Sequence, residues 1–141
     1  MNGQALSAAL CVLVVDDDID SLHLFSLLLK RAGHTVHVSQ SAANAIRLIE
    51  EIHPDVVFLD LAMPDLDGFE VAKQVRRHPR FTETTIVAVT GYDGPAFRER
   101  ARYAGFDDYL VKPVPIAKIE AIVQTVRQSL LSSGQATHPR C

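Results

Sequence analysis

A chain of 141 residues, 48% hydrophobic and 22% charged, is the right size for one globular domain with its own core and too apolar for a disordered segment. Its formal net charge of -3 gives no general attraction to nucleic acid or to an anionic membrane surface. Cys11 and Cys141 make neither a disulfide framework nor a zinc spacing, and the longest apolar run, Ala8 to Val15, is too short to span a bilayer. With no basic flank of a signal peptide at the N-terminus, the expectation is a cytoplasmic protein in a reducing compartment.

Residues 1–10 form a lead-in without strong pattern, and the domain is read as 11–131. Cys11-Val12-Leu13-Val14-Val15 is a continuous apolar run that stops at Asp16-Asp17-Asp18, as a central strand covered on both faces would. From Asp20 to Ala32, Leu22, Phe25 and Leu29 recur at helical spacing, and Gly33 is placed to end the helix. Thr35 to Ser39 alternates as a short strand. Ser41 can cap a helix whose Ala42, Ala45, Ile49 and Ile52 share a face before Pro54 breaks it. Val56-Val57-Phe58-Leu59 then ends at Asp60, and Met63-Pro64 with Asp67-Gly68 carries turn chemistry, Gly68 being free to take a positive φ.

Phe69, Ala72 and Val75 mark a third helix that closes at His78-Pro79, and Thr85 to Thr90 reads as a fourth buried strand. The next helix has only a thin stripe, Phe97, Ala101 and Ala104, among Arg98, Glu99, Arg100 and Arg102, and is expected to be the most mobile. Asp108 to Val111 is a short fifth strand ending at Lys112-Pro113. Ile116, Ile119, Val123, Val126 and Leu130 mark a final helix, and 132–141 is a polar tail read as disordered. Five βα units in succession predict an α/β fold, a parallel sheet with helices on both faces. The basic runs Arg76-Arg77-His78-Pro79-Arg80 and Arg98, Arg100 and Arg102 read as solvated helix faces.

In open parallel sheets ligands bind beyond the carboxyl ends of the strands. Here those ends carry Asp16 and Asp17, Asp60, Thr90 and Lys112. Three crowded carboxylates persist at neutral pH only with raised pKa values or with a cation among them, and oxygen ligands suggest Mg²⁺. Lys112 supplies a fixed positive charge and Thr90 a hydroxyl donor. The set suits phosphoryl transfer onto a carboxylate, with Asp60 as a nucleophile that needs no general base.

Val14-Val15-Asp16-Asp17, Leu59-Asp60 with Met63-Pro64 and Gly68, Thr90, and Lys112-Pro113 together resemble the receiver domain of bacterial response regulators in two-component signalling. The resemblance implies a flavodoxin-like, doubly wound five-stranded parallel sheet, order 2-1-3-4-5, with five helices. It implies that Asp60 is the phospho-acceptor, fed by a histidine kinase or a histidine phosphotransfer protein. Asp17, Asp60 and the backbone carbonyl of Ala62 would bind Mg²⁺, with Asp16 helping through water. Thr90 and Tyr109 would be a switch pair that reshapes the face of the fourth helix, fifth strand and fifth helix toward a downstream protein. The Lys112-Pro113 bond is often cis in this family.

Gly91 stands where a small residue, often Ala, is usual, and Ala62 carries no polar side chain. Since neither Ala62 nor Tyr92 is suited to direct a hydrolytic water, a long-lived acyl phosphate is expected. Val89-Thr90-Gly91-Tyr92 with the run Ala104 to Val114 also resembles receivers attached to hybrid histidine kinases, so a stand-alone regulator and a piece of a longer chain are both open.

Two other readings compete. Haloacid-dehalogenase-type phosphohydrolases use a similar strand-end set but need a second Asp two residues after the nucleophile, where this chain has Ala62. A phosphorylation-independent receiver acting only as a binding module is disfavoured by the complete acidic set and Lys112. A calcium loop around Gly68 fails because Met63 and Gln74 stand where acids are needed, and no G-x-G-x-x-G follows the first strand. Asp18, Asp20, Asp65, Asp67, Asp93, Asp107 and Asp108 are read as caps, turns and surface, and the six histidines as structural or exposed.

Overall fold

A computed structural model describes residues 9–63 and 67–133, without the side chain of Ser133. The lead-in before residue 9, Pro64, Asp65 and Leu66 of the turn, and the tail from 134 lie outside the described residues. Five strands, β1 (Cys11–Val15), β2 (Thr35–Ser39), β3 (Val56–Asp60), β4 (Thr85–Thr90) and β5 (Asp108–Val111), pair in parallel in the order β2-β1-β3-β4-β5. They alternate with α1 (Ile19–Arg31), α2 (Ala42–Ile52), α3 (Gly68–Arg77), α4 (Pro95–Ala104) and α5 (Ile116–Ser133), with a 3-10 turn at Pro79–Phe81.

The apolar runs without polar alternation are the interior strands, buried on both faces. Every residue of β1 and β3 is buried. Their side chains sort by the two-residue period of a strand. Leu13, Val15, Val57, Leu59, Ile86 and Ala88 face a core completed by α2, α3 and α4. Val12, Val14, Val56, Phe58, Val87 and Val89 face the one completed by α1 and α5. Because Val12 sits opposite Val56 and Asp60 opposite Val89, the carboxyl ends of these strands finish almost level.

Local chemistry sets the helix ends. Asp18 caps α1, accepting from the Asp20 N–H and the Ser21 hydroxyl, while Gly33 at φ 97 takes the left-handed turn after it. Ser41 caps α2 through the Asn44 N–H at 3.2 Å, and Asp67 caps α3 through the Phe69 N–H at 2.9 Å. The stripe of α4 is thinner than the sequence suggests: Ala101 and Ala104 are buried, but Phe97 is exposed and stacks on the Tyr92 ring instead.

Several boundaries and roles differ from the sequence reading. Leu10 is fully buried and its N–H donates to His34 Nδ1 at 3.0 Å, so the packed unit begins before Cys11. The last helix continues to Ser133, two residues past its expected end. Ile116 is 49% exposed, and Ile122 takes the core position instead. Gly68 has no positive φ; it opens α3 where an added Cβ would lie 3.0 Å from the Asp60 carbonyl oxygen and from Leu61 Cα. The absent side chain lets α3 start against the end of β3. Arg76 is not a solvated charge: its guanidinium donates to the carbonyls of Gly105 and Phe81 and to Asp107 at 2.6 Å, clamping α3 to the α4–β5 turn. Cys141 lies outside the described residues and Cys11 is not a free thiol, so cysteine usage says nothing of compartment. No helix among the described residues is long and apolar enough to cross a membrane.

Candidate functional site

The level carboxyl ends of β1, β3 and β4, with the segment after β5, bring the polar strand-end residues to one rim of the sheet. Carboxylate oxygens of Asp16, Asp17 and Asp60 lie within 4.8 Å of one another. Asp16 and Asp60 are buried at 5% and 6% exposure, whereas Asp17 faces solvent. Lys112 Nζ bridges the two buried acids, 2.8 Å from Asp16 Oδ2 and 3.3 Å from Asp60 Oδ2. Three carboxylates against one ammonium leave the cluster short of positive charge.

Each buried acid is also held by a backbone amide two residues on. Asp18 N–H donates to Asp16 Oδ1 and Ala62 N–H to Asp60 Oδ1, both at 2.9 Å. Those bonds aim the carboxylates and leave Lys112 to the second oxygen. The Asp17 carboxylate takes no hydrogen bond among the described residues. Burial raises the Asp60 pKa above the ordinary carboxylate value; the Ala62 N–H and Lys112 oppose the shift, and the Asp16 charge reinforces it. Burial works against the Lys112 ammonium, but the hydrogen bond it donates to Asp16 and the Asp60 charge outweigh it and hold that pKa above the usual lysine value.

Thr90 is fully buried at the end of β4, where its Oγ1 accepts from the Tyr92 N–H at 3.2 Å. It makes no hydrogen bond to the acids among the described residues. Tyr109 donates its hydroxyl to the Tyr92 carbonyl at 2.8 Å, and its ring lies under the Arg98 guanidinium, 4.8 Å from the centroid. Burial holds the Tyr109 hydroxyl above its ordinary pKa, partly offset by Arg98. Thr90 and Tyr109 therefore meet at the main chain of Tyr92, one at its amide and one at its carbonyl. From the sequence Tyr92 stands out only as a poor guide for water, since a backbone bridge leaves no mark in residue type. The Lys112-Pro113 bond is cis, as the resemblance implied.

Asp18 and Asp67 are helix caps, and Asp107 accepts from Arg76 and from the Ile86 N–H, so these acids serve structure, as expected. Asp55, which the sequence did not single out, is buried and accepts from the Cys11 N–H at 2.8 Å. Asp65 lies outside the described residues.

Comparison with known proteins agrees with this geometry. The family model for the response regulator receiver domain matches residues 12–124. A 14.6 kDa protein of Leptolyngbya boryana, encoded in the sodA1 3' region, is 38% identical over 117 residues, covering 83% of this chain and 89% of that protein. The chemotaxis protein CheY4 of Vibrio cholerae superimposes with a TM-score of 0.79 at 29% identity, covering 84% of this chain and 99% of that one. The receiver domain of sensor histidine kinase PA1611 from Pseudomonas aeruginosa PAO1, solved with magnesium in its active site cleft, gives 0.78 at 26% identity, covering 86% and 99%. A chemotaxis protein and a sensor-kinase receiver match equally well, so the fold does not choose between those types. Matched over most of its length and built on the same 2-1-3-4-5 sheet, the chain belongs to the response regulator receiver domain family.

Proposed function

We propose that this receiver domain is a phosphorylation-dependent switch in which Asp60 accepts a phosphoryl group from a histidine kinase or a histidine phosphotransfer protein. One observation carries the reading. A single lysine, Lys112, bridges two buried carboxylates at the ends of different strands, at 2.8 and 3.3 Å, beside a third acid within 4.8 Å. In the transfer, an Asp60 carboxylate oxygen forms a bond to phosphorus while the phosphorus–nitrogen bond of the donor phosphohistidine breaks, and the departing imidazole keeps the electron pair and takes up a proton. Asp60 is already the nucleophile and needs no base. Lys112 exchanges its Asp60 oxygen for a phosphoryl oxygen, keeping its bond to Asp16.

An all-oxygen donor set, short of positive charge and with one unbonded carboxylate at its mouth, fits Mg²⁺. Asp17, Asp60 and the Ala62 carbonyl would hold it, with Asp16 acting through water. When bound, it neutralises charge between the nucleophile and the phosphoryl oxygens.

The readout begins at Thr90, whose hydroxyl proton is not used in its bond with the Tyr92 N–H and is available to a phosphoryl oxygen. Drawing Thr90 inward pulls on Tyr92, whose carbonyl holds the Tyr109 hydroxyl, and so alters the face of α4, β5 and α5. A downstream protein reads that face; no direct contact with nucleic acid or membrane belongs to this reading. Trapping with beryllofluoride tests it. Mg²⁺-dependent binding with NMR shifts at Thr90, Tyr92 and Tyr109 is expected. Binding that ignores Mg²⁺ or leaves these residues unmoved contradicts the reading, and turnover of an added phosphate ester would favour a phosphohydrolase.

A further inference from the structure

Away from the acidic site, α1 and α5 enclose a cavity of about 460 Å³ on one flank, a volume within the range of small-molecule sites. Its walls are apolar, from Leu28, Leu29, Ile116, Ile119 and Val123, and its polar end holds Arg31, His34 and Arg127. His34 is 6% exposed, and its Nδ1 accepts the Leu10 N–H at 3.0 Å. An accepting Nδ1 carries no proton, so the ring's hydrogen sits on Nε2. That Nε2 lies 3.3 Å from a terminal guanidinium nitrogen of Arg127, which is a donor in every state.

Two N–H donors therefore face each other, and Arg127 Nε is a third, buried without a partner among the described residues. Protonating His34 offers no escape, because Leu10 occupies Nδ1 and Nε2 remains a donor. Burial, and then the Arg127 charge, hold the His34 pKa below its ordinary value, consistent with a neutral ring. Buried donors are normally paired, so converging donors without an acceptor mark a place for one. Glu120 also lines the cavity, but it lies seven residues from Arg127 on α5, about 10 Å along the helix axis. The same rise sets Ile116 about 16 Å from Arg127, so the apolar stretch and the donors occupy opposite ends of one elongated cleft.

We infer that the α1–α5 cleft binds a small amphiphilic carboxylate, its oxygens accepting from Arg127 and His34 Nε2–H and its hydrocarbon lying along Ile116, Ile119 and Val123. A carboxylate supplies two oxygens to neighbouring N–H groups, the geometry a guanidinium recognises best. Octanoate is the probe, titrated into the full chain by calorimetry and by NMR at His34 and Arg127, beside acetate as head alone and 1-octanol as tail alone. Saturable octanoate binding is expected, with both controls at least about tenfold weaker. Arg127→Met, which keeps the stem and removes the donors, should weaken octanoate by about tenfold or more. Gln124→Trp, at an exposed position on the cleft wall, should block it without touching the core. No saturable binding, binding unchanged in Arg127→Met, or acetate as tight as octanoate would each overturn the assignment.

Discussion

The acidic cluster makes a claim about stability that can be tested without any phosphodonor: the ionised Asp60 carboxylate destabilises the metal-free fold. At an effective dielectric constant of about 20, unit charges 4.8 Å apart repel by about 3.5 kcal/mol, and Asp60 faces two such neighbours, Asp16 and Asp17. Its attraction to Lys112 at 3.3 Å is about 5 kcal/mol on the same scale. The difference is about 2 kcal/mol against the charge, which the exposure of Asp17 reduces to about 1 kcal/mol. Asp60→Asn removes the charge and keeps an acceptor for the Ala62 N–H, while Lys112 keeps Asp16. The variant should therefore melt about 3–5 °C above wild type in EDTA at neutral pH.

The pH dependence has a definite sign. Burial raises the Asp60 pKa in the folded state, so between the ordinary carboxylate value and that raised value the folded chain holds a proton that the unfolded chain has lost. Stability from this group accordingly falls as pH rises through that window, and the cost is complete above it. The gap between Asp60→Asn and wild type should close below the ordinary carboxylate value and widen as the pH rises above it. Denaturant or thermal melts across that range in EDTA measure it. A variant less stable than wild type at neutral pH, or a gap that does not change with pH, would refute the reasoning.

Other outcomes follow from the same structure. Mg²⁺ at 100 times its dissociation constant should stabilise the wild type by about 2.7 kcal/mol, and Asp17→Asn should lose most of that gain in a thermal titration. Gly68→Ala should cost about 1–3 kcal/mol in urea melts, since its Cβ would press on the Asp60 carbonyl and Leu61 Cα at 3.0 Å. Gly91→Ala meets nothing within 4 Å and should lie within about 0.5 kcal/mol of wild type. The acyl phosphate, with no polar side chain at Ala62, should decay over minutes or longer in Mg²⁺ by phosphate-release assay; a lifetime of seconds would contradict that.

The central strands were legible because burial on both faces removes the polar alternation that otherwise blurs a short run, and because Asp16 and Asp60 end such runs abruptly. The site was legible for a related reason: charge is excluded from a doubly covered strand, so acids and Lys112 collect at the ends, where topology gathers them. What the chain hid depends on partners distant in sequence. Arg76 reads as a helix-end cation until Gly105 and Asp107 are brought against it. His34 looks like one of six unremarkable histidines until Leu10 occupies one ring nitrogen and Arg127 faces the other. Gly68 reads as a residue free to take a positive φ, and only the distance to β3 shows that a close approach is what excludes a side chain there. Tyr92 joins Thr90 to Tyr109 through its amide and carbonyl, which every residue type possesses.

The central claim is that Asp60 is the group that is modified. Incubating the full chain with Mg²⁺ and a small phosphoryl donor such as acetyl phosphate, followed by intact-mass and peptide mass spectrometry, tests it most directly. The account predicts the gain of one phosphoryl mass, located on the peptide that carries Asp60, suppressed by EDTA and absent in Asp60→Asn. A phosphoryl group on any other residue, or undiminished labelling of Asp60→Asn, would contradict it.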